Sequence, residues 1–211
     1  MTTTRKLLWG GGVIAGALLV ILGAIWIYIG VDARGEVHDT ITQEQIVGSP
    51  DMSPSTITAG IKEAGLEGKV DIPTCSVADE PVTNGDEARC FAQYMRVHAL
   101  ESTGGRTYSQ MGRFLDAKGN EVFTEEEAAT GANGRPVTNP ARDLWVSQRA
   151  LATGLELAYV GEQVSLFSIA TGILFVIIGI GFLVMVLAGG ILGNPFSKES
   201  TTPETPPAPE A

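Results

Sequence analysis

Two stretches of the chain run without a single charged residue for longer than a buried strand or ordinary core helix needs. They are LLWGGGVIAGALLVILGAIWIYIG, from Leu7 to Gly30, and VSLFSIATGILFVIIGIGFLVMVLAGGILG, from Val164 to Gly193. At about 1.5 Å of rise per residue the first spans about 36 Å as a helix, more than a bilayer core of about 30 Å, and the second is longer. The pattern predicts transmembrane helices over 7–30 and 164–193, a polar segment over 31–163, and polar ends over 1–6 and 194–211. For the first stretch a cleaved signal peptide is the competing reading, because Arg5 and Lys6 precede it. Its uncharged run exceeds a typical signal core and no clear Ala-x-Ala site follows, so a retained anchor is expected.

Inside 31–163 the apolar positions come in short runs. After a polar connector, Ser53 or Ser55 is placed to cap a short helix, with Pro54 early and Gly65 or Gly68 ending it. KVDIPTCSV alternates and is rich in β-branched residues, which predicts a strand leading into Cys75. ADEPVTNGDE reads as a turn region, with Asp86 as N-cap of a helix over 87–102. That helix sets Phe91, Met95 and His98 on one face with Tyr94 beside them, and Gly104-Gly105 stops it. FLDAKGNEVF predicts a hairpin around Gly119-Asn120. Thr124 to Glu127, TEEE, fits a capping box opening one or two helical turns.

Asn139-Pro140 is a strong helix start, with Asp143 near the positive end of the dipole. No proline follows until Pro195, and Leu144, Leu151, Leu155, Ala158 and Tyr159 form an apolar stripe. One long helix is therefore expected to run from the polar domain into the second span. The fold class is a mainly α membrane protein, with two spans flanking a small α+β domain. The expected core of that domain is Phe91, Met95 and His98 packed against the long helix near Trp145 and Leu151.

Charge then orients the picture. Residues 31–163 hold eleven Lys and Arg against twenty-one Asp and Glu, which is the whole formal net charge of −10. Arg5, Lys6 and Lys198 flank the outer ends of the spans, whereas only Arg34 lies close on the inner side. The positive-inside rule places both termini in the cytoplasm and 31–163 outside the plasma membrane. An acidic domain there argues against nucleic acid and against docking on anionic lipid. Both cysteines, Cys75 and Cys90, fall in this segment, where an oxidising environment favours a disulfide. Free buried thiols or a metal pair are the alternatives, and neither cysteine has a Cys-x-x-Cys partner. Closing the loop of about 15 residues stabilises by about 3 kcal/mol in the chain-entropy view.

The densest chemistry lies in RCFAQYMRVHALESTGGRTYSQMGRF, Arg89 to Phe114. His98 and Glu101 sit one helical turn apart, a metal-ligand spacing. A mononuclear iron site needs two histidines and a carboxylate, which would require His38, the second of only two histidines. A carboxylate-bridged di-metal site needs two Glu-x-x-His helices. No catalytic residue, cofactor or metal is therefore expected; His98 is read as hydrogen-bonded inside the domain and Glu101 as the partner of Arg106 or Arg113. Asp116 to Glu127 has the length of a calcium loop but carries Lys118 and Glu121 at positions that forbid it. Gly104-Gly105-Arg106 ends a helix instead of opening one, unlike a phosphate loop. In the spans, Gly12 and Gly16 form a Gly-x-x-x-Gly pair and Gly172, Gly179 and Gly181 mark the second helix, which suits close helix packing.

The ordering ITQEQIVGSPDM, PTCSV, the Arg89–Phe114 stretch and NPARDLWVSQRALATGLELAYVGEQVSLFSIATG resembles small two-span actinobacterial envelope proteins. His98 to Glu101, Gly104-Gly105, Thr107-Tyr108 and Ser165 to Phe167 are similar to a wider group labelled "aromatic ring-opening dioxygenase". One member of that group resembles an accessory subunit of the cytochrome bc–cytochrome oxidase supercomplex. The resemblance implies the two-span architecture and carries over no functional residue. The expectation is a non-catalytic accessory or interaction subunit, held in the bilayer and binding another membrane protein. The alternatives are a metal-binding or enzymatic protein using His98 and Glu101, or a ligand-sensing module.

Overall fold

The computed structural model describes residues 3–188. The elements in chain order are α1 (Thr3–Gln43), α2 (Pro54–Glu63), α3 (Gly85–Ser102), one 3-10 turn (Tyr108–Gln110), β1 (Phe114–Leu115), β2 (Glu121–Val122) and α4 (Pro140–Leu187). The expected end of the second span at Gly193 and the tail 194–211 lie outside the described residues. The chain forms two compact units: the part up to Ile29 with the part from Ser168 on, and Gly30–Phe167.

In the first unit, α1 and α4 meet through glycines. A Cβ placed on Gly16 would stand 2.7 Å from Leu183 and 3.2 Å from the Gly179 carbonyl, and one on Gly179 would stand 2.9 Å from the Gly16 carbonyl. Gly23 and Gly172 repeat the arrangement, each with the other's carbonyl 2.6 Å from where its Cβ would be. Gly16 and Gly23 are seven residues apart, as are Gly172 and Gly179, so two antiparallel helices touch backbone to backbone every second turn. A Cβ on Gly12 would stand 3.0 Å from Val186, whereas one on Gly181 would meet nothing within 4 Å, so Gly181 lies off this face.

In the second unit the polar connector expected after Gly30 is instead the continuation of α1 to Gln43. Between Gly30 and Gln43 no proline interrupts the helix, and Val37 and Ile41 recur at i, i+4 to pack with Val82, Ala88, Leu155 and Ala158. The helix ends in a tight turn at Gln45, which has φ 50°. Next, Gly48 bridges to Ala78; a Cβ there would lie 1.7 Å from the Val77 carbonyl, so only glycine fits. α2 forms as its sequence suggests: Ser53 caps it, Pro54 opens it, and Gly65 follows with φ 67°. Its buried face, Ile57 and Ile61, packs with Met52, Leu66, Val77, Cys90, Tyr94 and Val97.

Three local expectations give way. KVDIPTCSV is not a strand, because Pro73 lacks a donor and the neighbouring groups bond singly to other segments, Val77 N to Met52 O and Tyr94 Oη to Cys75 O. Asn84, not Asp86, caps α3 by accepting from Glu87 N, so the helix starts two residues earlier than expected. Thr124 does bond Glu127 at 3.0 Å, but no helix follows. Ala129 N donates to Leu115 O and Val137 N to Ala129 O, drawing that segment against the hairpin instead.

The hairpin pairs Phe114 with Val122 and Leu115 with Glu121. Gly119 takes φ 84° in its turn, where Asp116 accepts from the amides of Lys118 and Asn120. The hydrogen bond from the Asn120 side chain first, and then these amide bonds, hold the Asp116 carboxyl below its ordinary pKa. α4 then runs unbroken over 48 residues from Pro140. Its buried positions outside the first unit are Trp145, Ala152, Glu162 and Ser165, while Leu144 and Leu151 of the expected stripe point outward.

Candidate functional site

The Arg89–Phe114 stretch is organised by α3. Spacing set Phe91, Met95 and His98 as its inner face, but the buried face is centred on Ala88, Ala92, Tyr94, Val97 and Ala99, with Met95 at its margin. Phe91 and His98 are half-buried. Tyr94 lies on the inward side of α3, in the same core cluster as Cys90. Its ring is fully buried, its hydroxyl donates to the Cys75 carbonyl at 2.7 Å, and burial raises its pKa. Cys75 and Cys90 are bonded, with Cα atoms 6.0 Å apart, so the loop that carries Cys75 is pinned to the first turns of α3. Trp145 belongs to another cluster, with Ala99, Leu100 and Met111.

His98 lies between two carboxylates. Its Nδ1 is 3.0 Å from Glu101 Oε2 and its Nε2 is 3.5 Å from Asp51 Oδ2. The two acids address opposite nitrogens of the ring, so a single ion cannot take the imidazole and both carboxylates without rearrangement. Among the described residues no group of three or more His, Cys, Asp or Glu is arranged to hold a metal. His38 is elsewhere, on α1, with Nδ1 2.7 Å from the Thr83 carbonyl. Glu101 therefore pairs with His98 and not with Arg106 or Arg113.

The four arginines of the stretch are each engaged structurally. Arg89 stacks on Tyr159 at 4.5 Å, Arg96 on Trp145 at 5.9 Å and Arg113 on Phe114 at 5.4 Å. Arg106 makes a bidentate pair with Glu121, at 2.6 and 3.0 Å. Glu121 also accepts from Gly112 N and from Asn139 Nδ2, each at 3.0 Å. One carboxylate on β2 thus joins the end of α3, the hairpin and the cap of α4, because Asn139 Oδ1 also accepts from Ala141 N. The Arg106 guanidinium first, then these neutral donors, lower the Glu121 pKa to about 2.

Another carboxylate, the buried Glu162 of α4, accepts from Arg34 of α1 at 3.0 and 3.1 Å and from Gly85 N at 2.6 Å. It ties three helices together just before the second uncharged stretch. Gly85 is needed here, since a Cβ would come within 2.7 Å of the Tyr159 backbone. Neither Glu121 nor Glu162 stands out in the sequence, as each is one acid among many. Gly23 was the more legible omission, lying seven residues after Gly16 just as Gly179 lies seven after Gly172.

These features define a mostly helical chain with two helices, Leu7–Gln43 and Pro140–Leu187, long and apolar enough to cross a membrane, and a small disulfide-closed domain with a two-stranded sheet. No protein-family profile, curated protein or solved structure matches it.

Proposed function

We propose that this is a non-catalytic integral membrane protein that presents an acidic domain outside the plasma membrane and docks there on another envelope protein. The observation that carries this reading is the outward surface of the two apolar helices. Ile14, Ile21, Ile25 and Ile29 on α1, and Ile173, Ile177, Ile180 and Val184 on α4, are all exposed although each lies in an uncharged run. A core helix of a soluble protein buries such residues, whereas a bilayer solvates them. The disulfide supports an oxidising compartment for residues 31–163, and the basic residues at 5, 6 and 198 support cytoplasmic termini. Within the domain, His98 and Glu101 pair with each other and the four arginines of the densest stretch are held by aromatic rings or by Glu121, which favours a structural module over a reactive one. On the resemblance, a respiratory membrane complex is the first partner to test.

The test is purification of the full chain from its native membranes in a mild detergent, with identification of whatever accompanies it in stoichiometric amount. A defined membrane protein is expected, and an empty preparation sinks the docking reading. Metal analysis of the same preparation addresses the competing role for His98 and Glu101. Stoichiometric iron or zinc, lost in His98→Ala, replaces the proposal with a metal-binding one.

A further inference from the structure

An open apolar groove of about 490 Å³ lies in the polar domain between the outer part of α1, α3 and α4. Ile41, Ile46, Phe91, Met95, Leu151 and Leu155 line it. Leu151 is 62% exposed, a large apolar side chain well outside the uncharged stretches. On α4 the groove also holds Gly154, above which a Cβ would meet nothing within 4 Å. Glycine inside a helix weakens it relative to alanine. At Gly154 neither a positive φ nor a close neighbour in this chain calls for one. The space it leaves is open.

One edge of the groove is acidic. Thr40 and Glu44 border it, and Asp32, Glu36 and Asp39 continue along the adjoining face of α1 at helical spacing, around a second depression that includes Gly35. None of these four carboxylates has a basic partner among the described residues. An apolar trough with one acidic edge selects its occupant by charge. An anionic lipid surface is repelled by that edge. A second copy docking groove to groove by two-fold symmetry brings two acidic rows into one interface.

We infer that the groove receives a basic amphipathic helix of another envelope protein. Its apolar face lies over Phe91, Met95, Gly154 and Leu155, and Lys or Arg residues along one edge meet Asp32, Glu36 and Asp39. This is the helix-in-groove mode, in which anchors at i, i+3, i+4 and i+7 fill the trough. Carboxylates one turn apart on α1, about 5.4 Å, match basic residues one turn apart on the incoming helix. The inference rests on the docking reading above and names its surface and the chemistry of the partner.

The test uses the full chain in nanodiscs of zwitterionic lipid and a fluorescent amphipathic helix built from leucine and lysine, followed by fluorescence anisotropy. Saturable binding above that of empty discs is expected, weakened at least tenfold by high salt. Gly154→Leu, whose Cβ meets nothing within 4 Å, projects into the groove and is expected to weaken binding tenfold or more, with the helix content and the Cys75–Cys90 bond unchanged. The combined Asp32→Asn, Glu36→Gln and Asp39→Asn variant is expected to lose the salt-sensitive part. Equal binding by both variants, or equal binding of a leucine–glutamate helix, overturns the inference. So does a dimer of the chain that Gly154→Leu dissolves, since the occupant is then a second copy. If a partner still co-purifies with Gly154→Leu in full amount, docking stands and the groove is excluded as its place.

Discussion

Replacing Glu121 by glutamine is the sharpest perturbation of the polar domain. The side chain keeps its shape but loses its charge, so Arg106, Gly112 N and Asn139 Nδ2 share a single neutral acceptor oxygen. A pKa lowered from 4.5 to about 2 corresponds to roughly 3 kcal/mol at about 1.4 kcal/mol per unit. Glu121 and Arg106 keep 24% and 45% side-chain exposure, so solvent screening reduces that figure. The part retained is about 1–2 kcal/mol. Because the folded pKa is depressed, this stabilisation is complete above about pH 4.5 and disappears as pH falls towards 2. Amide hydrogen exchange on the full chain reads it locally, at Gly112, Val122 and Ala141. At neutral pH, Glu121→Gln is expected to lower protection there by roughly 5- to 30-fold. The difference from the parent chain is expected to shrink through the acid window. Unchanged protection in the variant, or a gap that persists undiminished near pH 2, refutes the assignment of Glu121 as the tie between hairpin and α4.

Further outcomes follow from the packing. Leucine at Gly23 or Gly172 is expected to separate the apolar helices, with a strain of about 1–3 kcal/mol or more, whereas Gly181→Leu, with open space around it, is expected to leave thermal stability in detergent unaltered; equal effects at all three positions contradict the glycine contact. Replacing Cys75 and Cys90 together by alanine is expected to cost about 3 kcal/mol of domain stability. It should also raise exchange in the loop around Cys75 while leaving the apolar helices protected. Tyr94→Phe leaves the Cys75 carbonyl without its donor and is expected to cost about 1–3 kcal/mol, read as faster thermal unfolding of the domain. A variant as stable as the parent removes that hydrogen bond from the description.

The elements with strong local chemistry were legible in advance. Ser53-Pro54, Asn139-Pro140, Gly104-Gly105 and the Gly119 turn each satisfy a backbone requirement with residues adjacent in sequence, so their positions follow from the chain alone. The two uncharged runs were legible for the same reason. What local pattern could not reveal depended on distant partners. α1 continues to Gln43 because Val37 and Ile41 find Val82 and Ala88 some forty residues later. The inward side of α3 carries Ala88, Ala92, Tyr94 and Val97, which pack on residues from other segments, so the spacing of Phe91, Met95 and His98 misplaced its centre. The KVDIPTCSV stretch has strand composition but no strand to pair with. Glu121 and Glu162 acquire their roles only when Arg106, Asn139, Arg34 and Gly85 are brought to them from other elements.

The most direct measurement of the central proposal is a pair of reporter fusions in cells. Alkaline phosphatase inserted at the exposed turn 131–134 is active only outside the cytoplasm, and green fluorescent protein fused after Ala211 folds to a fluorescent state only inside it. Two membrane spans around an extracytoplasmic, disulfide-closed domain give activity from the first and fluorescence from the second. A silent phosphatase at 131–134, or a fluorescent chain recovered in the soluble fraction, contradicts the membrane topology and the docking role built on it.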